Sequence, residues 1–126
     1  MLPYLLVFLG GGVGAALRFG AGTLWVRAAG PSHPWGATLV INTLGGLLMG
    51  ALVATLAMRA GGGERLRQFV GVGVLGGFTT FSAFSLELTG MIERRAYALA
   101  GAYALASVVL STGACWAALV LLRRPA

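Results

Sequence analysis

Four apolar stretches follow one another along this chain, and each is longer than the roughly 20 residues that a helix needs to cross a lipid bilayer. They occupy residues 3–26, 35–58, 66–92 and 97–122, with short polar connections between them. Only 10% of the residues are charged, whereas soluble domains carry about 25%. The sequence therefore predicts an all-α membrane protein of four transmembrane helices, which form a single domain over residues 1–126.

The charged and reactive residues argue against several classes of function. All nine basic residues are arginines, and apart from Arg18 they lie near span ends, not on the clustered face that nucleic-acid binding requires. The lone Cys115 excludes an intrachain disulfide and is predicted to be a packing residue. The sequence has no Ser–His–Asp set, metal-binding cluster or phosphate loop. We therefore expect no enzyme, no nucleic-acid partner and no soluble protein partner.

The arginines also bear on topology, because positive charge favours the cytoplasmic side of a membrane. With both termini on one side, the two sides differ by only a few arginines. So weak a bias predicts that the chain inserts in both orientations, which permits a dual-topology antiparallel homodimer. The two sets of arginines are Arg59, Arg65, Arg67, Arg123 and Arg124 against Arg27, Arg94 and Arg95.

Polar side chains within the spans are candidate functional residues, because they are costly to place in lipid. Arg18 either snorkels towards the interface or supplies a fixed positive charge to a water-filled vestibule that attracts anions. The Asn42 amide either donates hydrogen bonds to an anion or bonds a neighbouring helix. Glu87 either lies at the interface, pairs with an arginine or lies near a pore mouth.

The third span combines glycines with hydroxyl residues at mid-membrane depth. Gly76-Gly77, followed by Thr79-Thr80, weakens the helix and predicts a break. Carbonyl groups opened by such a break could bind a cation. If the break lies on a dimer axis, two carbonyls from each chain give four oxygen ligands, which suits Na⁺.

Aromatic edges and hydroxyl groups along the last two spans suit a small anion. Phe81 and Phe84 are three residues apart with Ser82 alongside, so ring edges of positive partial charge lie near a hydroxyl donor. Ordinary packing is the alternative for these phenylalanines, and a bond to the preceding turn is the alternative for a single serine. Span four carries a stripe of hydroxyl residues, each four from the next: Tyr103, Ser107 and Ser111.

Glycine pairs spaced four residues apart predict a tightly packed bundle. Between helices in lipid there is little hydrophobic drive, so association depends on close approach of the backbones. The pairs do not identify a function. They are Gly10 with Gly14, Gly46 with Gly50, and Gly73 with Gly77.

Three segments resemble motifs of the Fluc/CrcB family of bacterial fluoride channels. They read GGVGAALRF at 11–19, TLVINTLG at 38–45 and GGFTTFSAFS at 76–85. The resemblance covers all four spans in the family's order and length. It implies a dual-topology antiparallel homodimer with two pores in the cell (inner) membrane, which exports F⁻ passively and gives fluoride resistance. The identity of the ion rests on this resemblance and not on the residue pattern.

The resemblance also implies roles for individual pore residues. Phe81 and Phe84 correspond to the pore-lining phenylalanines, Asn42 to the pore asparagine and Arg18 to the vestibule arginine. At Ala83 the family often has Thr or Ser, so this chain lacks one hydroxyl there but keeps both rings. Tyr103, Ser107 and Ser111 correspond to the polar track of span four, and Ser82 is also expected to line the pore.

A structural Na⁺ at the centre of the dimer is the last feature that the resemblance implies. Its ligands would be the backbone carbonyls of Gly76 and Thr79 from each subunit. Glu87 is left as a candidate for the pore mouth.

A proton-coupled small multidrug exporter is the main alternative, because such exporters share the four spans, the length and the dual-topology dimer. They need a membrane-embedded carboxylate in the first span. Here the first span carries Arg18 and no acidic residue, and Glu87 is the one carboxylate placed within a predicted span. An assembly subunit without transport activity is a further alternative, which the hydroxyl stripe and the broken third span disfavour.

Overall fold

The computed structural model of the chain describes residues 1–123, and four of its helical spans are long and apolar enough to cross a membrane. Helix α1 covers Leu2–Ala29 and α2 covers Pro34–Ala57. The third span consists of α3 (Glu64–Leu66), a π-helical segment (Arg67–Leu75), α4 (Gly76–Phe78) and α5 (Ser82–Glu93). Helix α6 covers Tyr97–Leu122. The predicted all-α fold with four spans is confirmed, and Arg124 of the topology argument lies outside the described residues.

Glycine and proline end one helix and begin the next in the first connection. Gly30 adopts φ +82, a left-handed conformation that favours glycine, and its N–H donates to the Val26 carbonyl at 2.9 Å. Pro34 begins α2 at a position where its missing N–H costs nothing. The Trp25 Nε1–H donates to the His33 carbonyl at 3.0 Å and ties the connection to α1. These local signals make the first two spans an antiparallel pair.

The helices approach each other at backbone distance through the predicted glycine pairs. Helix α1 packs along the π-helical segment and α4, and α2 packs along α6. A Cβ atom on Gly14 would overlap the Val74 carbonyl oxygen, and one on Gly46 would overlap the Ser111 carbonyl oxygen. Neighbouring backbone likewise closes the space at the remaining members of the pairs, which are Gly10, Gly50, Gly73 and Gly77.

The third span is interrupted at residues 79–81, and the predicted break is therefore confirmed. Thr79 has an extended backbone at φ −79 and ψ 156. In a lipid-embedded protein the backbone groups freed by a break need new partners. Both backbone groups of Thr80 obtain them from the Asn42 side chain, and the Ala83 N–H in the first turn of α5 donates to Thr80 Oγ1 at 3.1 Å.

A small buried core joins α5 to α6. Met91 and Tyr103 are 1% and 2% exposed, and Ala100 packs with them. Trp35 and Phe84 lie against this core, with ring centroids 5.8 and 5.2 Å from that of Tyr103. This packing fixes the half of the third span that follows the break.

Candidate functional site

Beside the break, residues of α2, α5 and α6 line a cavity of about 420 Å³, which we call the phenylalanine cavity. Three elements that are distant in the sequence thus converge on one space. The predicted residues Ser82 and Tyr103 do not line it. The predicted pore residues that do are Asn42, Phe81, Phe84, Ser107 and Ser111.

Two hydroxyl groups in the phenylalanine cavity are buried and have no partner within residues 1–123. Ser107 is 9% exposed, and the Oγ atoms of Ser107 and Ser111 make no hydrogen bond to any described residue. A buried polar group without a partner costs about 1–3 kcal/mol. A hydroxyl proton rotates freely and binds an anion without any change in ionisation. The two serine hydroxyls are therefore available to donate hydrogen bonds to an anion. Neither of them bonds a carbonyl of the preceding turn, which was the predicted alternative for a single serine.

The two phenylalanine rings of the cavity differ in their surroundings. Their centroids are 5.5 Å apart with an interplanar angle of 42°. Phe84 is partly buried and packs on Tyr103, whereas Phe81 is 79% exposed in the single chain. Phe81 therefore rims the cavity without packing fully against its own chain.

The Asn42 amide connects α2 to the break. Its Nδ2 donates to the Thr80 carbonyl at 2.9 Å, and its Oδ1 accepts from the Thr80 N–H at 2.8 Å. Asn42 thus bonds the neighbouring span, at Thr80 in the break. An amide carries two N–H donors, so Nδ2 keeps one hydrogen beyond its bond to Thr80 while Asn42 lines the cavity.

A second cavity, of about 800 Å³, lies on the other side of the break, and we call it the arginine cavity. Arg18, Arg27, Glu87 and Thr80 are among its lining residues. Arg18 Nε donates to the Gly77 carbonyl at 3.2 Å. A guanidinium is stabilised there, since the last carbonyls of a helix carry partial negative charge. Arg18 thus combines a cavity-facing charge with a bond to the last turn before the break.

Glu87 is held by two hydroxyl groups at the wall of the arginine cavity. Thr38 Oγ1 donates to one carboxylate oxygen at 2.7 Å, and the Tyr103 hydroxyl donates to the other at 2.6 Å. Within residues 1–123, no arginine lies at salt-bridge distance from Glu87. The Tyr103 hydroxyl proton is therefore used in the bond to Glu87. Tyr103 holds Glu87 in place at the arginine cavity and does not line the phenylalanine cavity.

Two residues of this arrangement, Thr38 and Thr80, were not among the predicted site residues. Thr38 lies four residues before Asn42, so helical spacing places both on one face of α2. Thr80 was recognised as a helix-weakening residue and not as a lining residue. Ser82, which was predicted, has its Oγ 3.3 Å from Thr80 Oγ1 outside the cavity lining.

The break leaves backbone carbonyls without donors. The bonds around it end on the carbonyls of Leu75, Gly77, Thr80 and Phe81. In the described part of the chain, none of them ends on the carbonyls of Gly76, Phe78 or Thr79. Oxygen atoms of this kind are ligands that hard cations prefer.

Comparison with known proteins gives similarity over almost the whole chain. The family model described as CrcB-like protein, Camphor Resistance (CrcB), matches residues 5–119. A protein of Phenylobacterium zucineum named fluoride-specific ion channel FluC is 53% identical over 125 residues, which cover 98% of each chain. Proteins of the same name are 51% identical over 125 residues in a Caulobacter species, with coverage of 98% and 97%, and 53% identical over 119 residues in Novosphingobium aromaticivorans, with coverage of 93% of each chain.

Proposed function

The chain belongs to the CrcB family, and from this membership we propose that it is a fluoride-specific ion channel giving passive F⁻ export and fluoride resistance. It is a multi-pass membrane protein, in keeping with its four spans, and a transporter and not an enzyme. We expect it in the cell (inner) membrane. The single structural observation that carries the proposal is the pair of free hydroxyls, Ser107 and Ser111, in a cavity rimmed by Phe81 and Phe84.

Conduction of a small anion requires that the channel replace the water molecules that the ion sheds. Pores do this with donors and dipoles that line the path. In the phenylalanine cavity the donors are the Ser107 and Ser111 hydroxyls and the unused amide hydrogen of Asn42. The edges of Phe81 and Phe84 add positive partial charge. Neutral donors bind the anion less strongly than a buried cation would, so the ion can leave the cavity as well as enter it.

The arginine cavity provides the approach to this path. Arg18 places a full positive charge against the break and attracts anions into this largely apolar space. The Glu87 carboxylate opposes this attraction, and the hydrogen bonds that its two oxygens accept from hydroxyl groups do not cancel its charge. Arg18 and Arg27 both line the cavity, so two positive charges stand against this one carboxylate.

We infer that the conducting unit is an antiparallel homodimer with two pores. Phe81 is 79% exposed beside the cavity, so a second chain is needed to enclose this side of the path. The weak arginine bias supports two opposite orientations in the membrane. If the break lies at the two-fold axis of this dimer, each break faces its symmetry mate.

A structural Na⁺ at the dimer axis is part of the proposal. Gly76 and Thr79, the predicted ligands, are among the residues whose carbonyls have no donor in the described chain. Two carbonyls from each of two chains supply four oxygens, and bound Na⁺ would join the two broken spans. The residues present thus fit a small hard cation.

A fluoride-electrode assay on reconstituted protein tests the function. Vesicles loaded with KF and containing the parent chain should release F⁻ without a proton gradient once a K⁺ ionophore lets K⁺ leave with it, and Phe81→Ile should reduce release to the level of bare vesicles. Phe8→Ile is the matched control, since Phe8 is 76% exposed on α1 and lines neither cavity. Parent vesicles that leak no faster than bare ones would contradict the proposal.

The structure gives no support to the alternative of a proton-coupled drug exporter. Such a transporter needs a carboxylate in its first span, and α1 contains none. Glu87, the acidic residue nearest the middle of a span, has both oxygens engaged. Drug uptake driven by a proton gradient in the same vesicles would favour the exporter.

A further inference from the structure

Thr80 occupies a position that no other cavity residue shares. Among the residues that line the arginine cavity and the phenylalanine cavity, Thr80 alone belongs to both. An ion that passes from the Arg18 side to the Ser107 side by way of these two spaces therefore passes Thr80. The residue is part of the break and lies directly before Phe81.

Two backbone hydrogen bonds hold Thr80 in position. Its N–H and carbonyl groups both bond the Asn42 amide, at 2.8 and 2.9 Å. Substitutions of the Thr80 side chain leave these two bonds available. The Thr80 side chain also accepts the Ala83 N–H, so its role as a donor is tested with variants that keep this acceptor as well as with one that lacks it.

The Thr80 hydroxyl is prepared to donate a hydrogen bond. Its oxygen accepts the Ala83 N–H at 3.1 Å, and a hydroxyl that accepts one bond becomes a stronger donor in the next. The neighbouring Ser82 Oγ lies 3.3 Å away, at the long end of hydrogen-bond distance, and either atom could be the donor. Thr80 also precedes the first turn of α5, whose free N–H groups carry partial positive charge.

We propose that the Thr80 hydroxyl is an anion-binding donor at the passage between the two cavities, where it receives F⁻ from the arginine cavity and passes it to the hydroxyls of Ser107 and Ser111. The inference rests on the proposed function, because it assumes that the chain conducts F⁻. The second observation that points to a ligand is the buried, unpartnered Ser107 hydroxyl in the cavity that Thr80 borders. The ligand class is a small, hard, monovalent anion.

Three substitutions at Thr80 separate a donor from a purely structural residue. Thr80→Ser keeps the hydroxyl and should retain most of the F⁻ flux. Thr80→Val keeps the shape but removes both the proton and the oxygen that accepts the Ala83 N–H, and it should reduce flux at least about tenfold, as expected for a lost bond to an ion. Thr80→Asp keeps an acceptor for the Ala83 N–H but presents a negative charge, and it should abolish flux. Ser85→Ala is the control, since the Ser85 hydroxyl bonds the Phe81 carbonyl and lines neither cavity.

The measurements are F⁻ efflux from vesicles, elution of the purified protein on gel filtration and its thermal unfolding. Reduced flux in Val and Asp variants that elute and unfold like the parent, with Ser near the parent, supports the inference. Parental flux in Thr80→Val, or equal losses in Ser and Val, would overturn it. Should Val impair folding, parental flux in Thr80→Asp overturns it instead. A parent that does not conduct F⁻ refutes the proposed function, whereas a conducting parent with an unaffected Val variant refutes only the role of Thr80.

Discussion

The Asn42 side chain accepts a hydrogen bond from the Thr80 N–H at 2.8 Å and donates one to the Thr80 carbonyl at 2.9 Å. In a continuous helix, neighbouring turns would have made these two bonds. This reciprocal pair lets the third span break without leaving those two polar groups bare in the membrane. It also places the two cavities on opposite sides of one residue. The break is therefore a defined structure held by α2.

Asn42→Ala should destabilise the protein and abolish F⁻ flux. Each Thr80 backbone group left without a partner costs about 1–3 kcal/mol, and the break loses its attachment to α2. Thermal unfolding and F⁻ efflux are the measurements. Thr55→Ala is the control in the same helix, because the exposed Thr55 hydroxyl bonds only the Ala51 carbonyl in the preceding turn and lines neither cavity. Equal unfolding temperatures for Asn42→Ala and the parent would show that the two Asn42–Thr80 bonds do not hold the break.

Tyr103→Phe should lower both stability and flux while the ring packing stays intact. The phenyl ring still contacts Phe84 and Trp35, but one Glu87 oxygen loses its donor at 2.6 Å. The loss should be about 1–3 kcal/mol in unfolding free energy, and the exposed carboxylate should oppose anion entry. Tyr97→Phe, at a 63% exposed span end, should behave like the parent. Unchanged flux and stability in Tyr103→Phe would show that the bond to Glu87 is not needed.

Gly14→Ala should prevent correct packing of α1 against the third span. The added Cβ would overlap the Val74 carbonyl and lie 2.8 Å from the Phe78 N, and backbone atoms cannot rotate away. Gly12→Ala is the control in the same helix, where a Cβ meets nothing within 4 Å of the chain and alanine favours the helix by up to about 1 kcal/mol. The yield of monodisperse protein on gel filtration distinguishes them. Similar yields for both variants would contradict the close approach of the two spans.

Arg18→Gln should reduce F⁻ flux most strongly at low ionic strength. The attraction of an anion by a fixed charge is screened over about 10 Å at 0.1 M salt, so added salt of a non-permeant anion should narrow the difference from the parent. Arg59→Gln, in the exposed second connection, is the control. A loss that is independent of ionic strength would instead point to the bond between Arg18 and the Gly77 carbonyl.

Replacement of Na⁺ by N-methylglucamine should lower the unfolding temperature of the dimer. A ligand that binds only the native state stabilises it by an amount that grows with its concentration above the dissociation constant. Titration with Na⁺ should therefore raise the unfolding temperature progressively, and K⁺ at equal ionic strength is the control. An unfolding temperature that does not respond to Na⁺ would contradict the proposed carbonyl site.

The sequence predicts the spans well because apolar length is a simple requirement of the bilayer. The break was also predictable, since Gly76-Gly77 and Thr79-Thr80 are poor helix formers at a depth where helices are the rule. The π-helical segment Arg67–Leu75 was not predicted. Its backbone bonds depend on packing against α1, and the side-chain pattern of so short a segment does not distinguish it from an α-helix.

The sequence predicted which residues line the candidate site better than it predicted which contacts those residues make. Asn42, Phe81, Ser107 and Ser111 were identified by residue type and spacing, and the structure brings them to one cavity. The partner of Asn42 could not be predicted, because the distance between Asn42 and Thr80 depends on how α2 meets the break. For the same reason Tyr103 was assigned to the hydroxyl track, whereas its proton is given to Glu87.

The glycine contacts between α1 and the first half of the third span have a mechanical consequence. Because backbone meets backbone there, no layer of side chains lies between the two elements that could change rotamers and let them slide. These two elements should move as one rigid body. Any relative movement within the third span then has to occur at residues 79–81, between this rigid body and the half that packs on α6 through the core of Met91 and Tyr103.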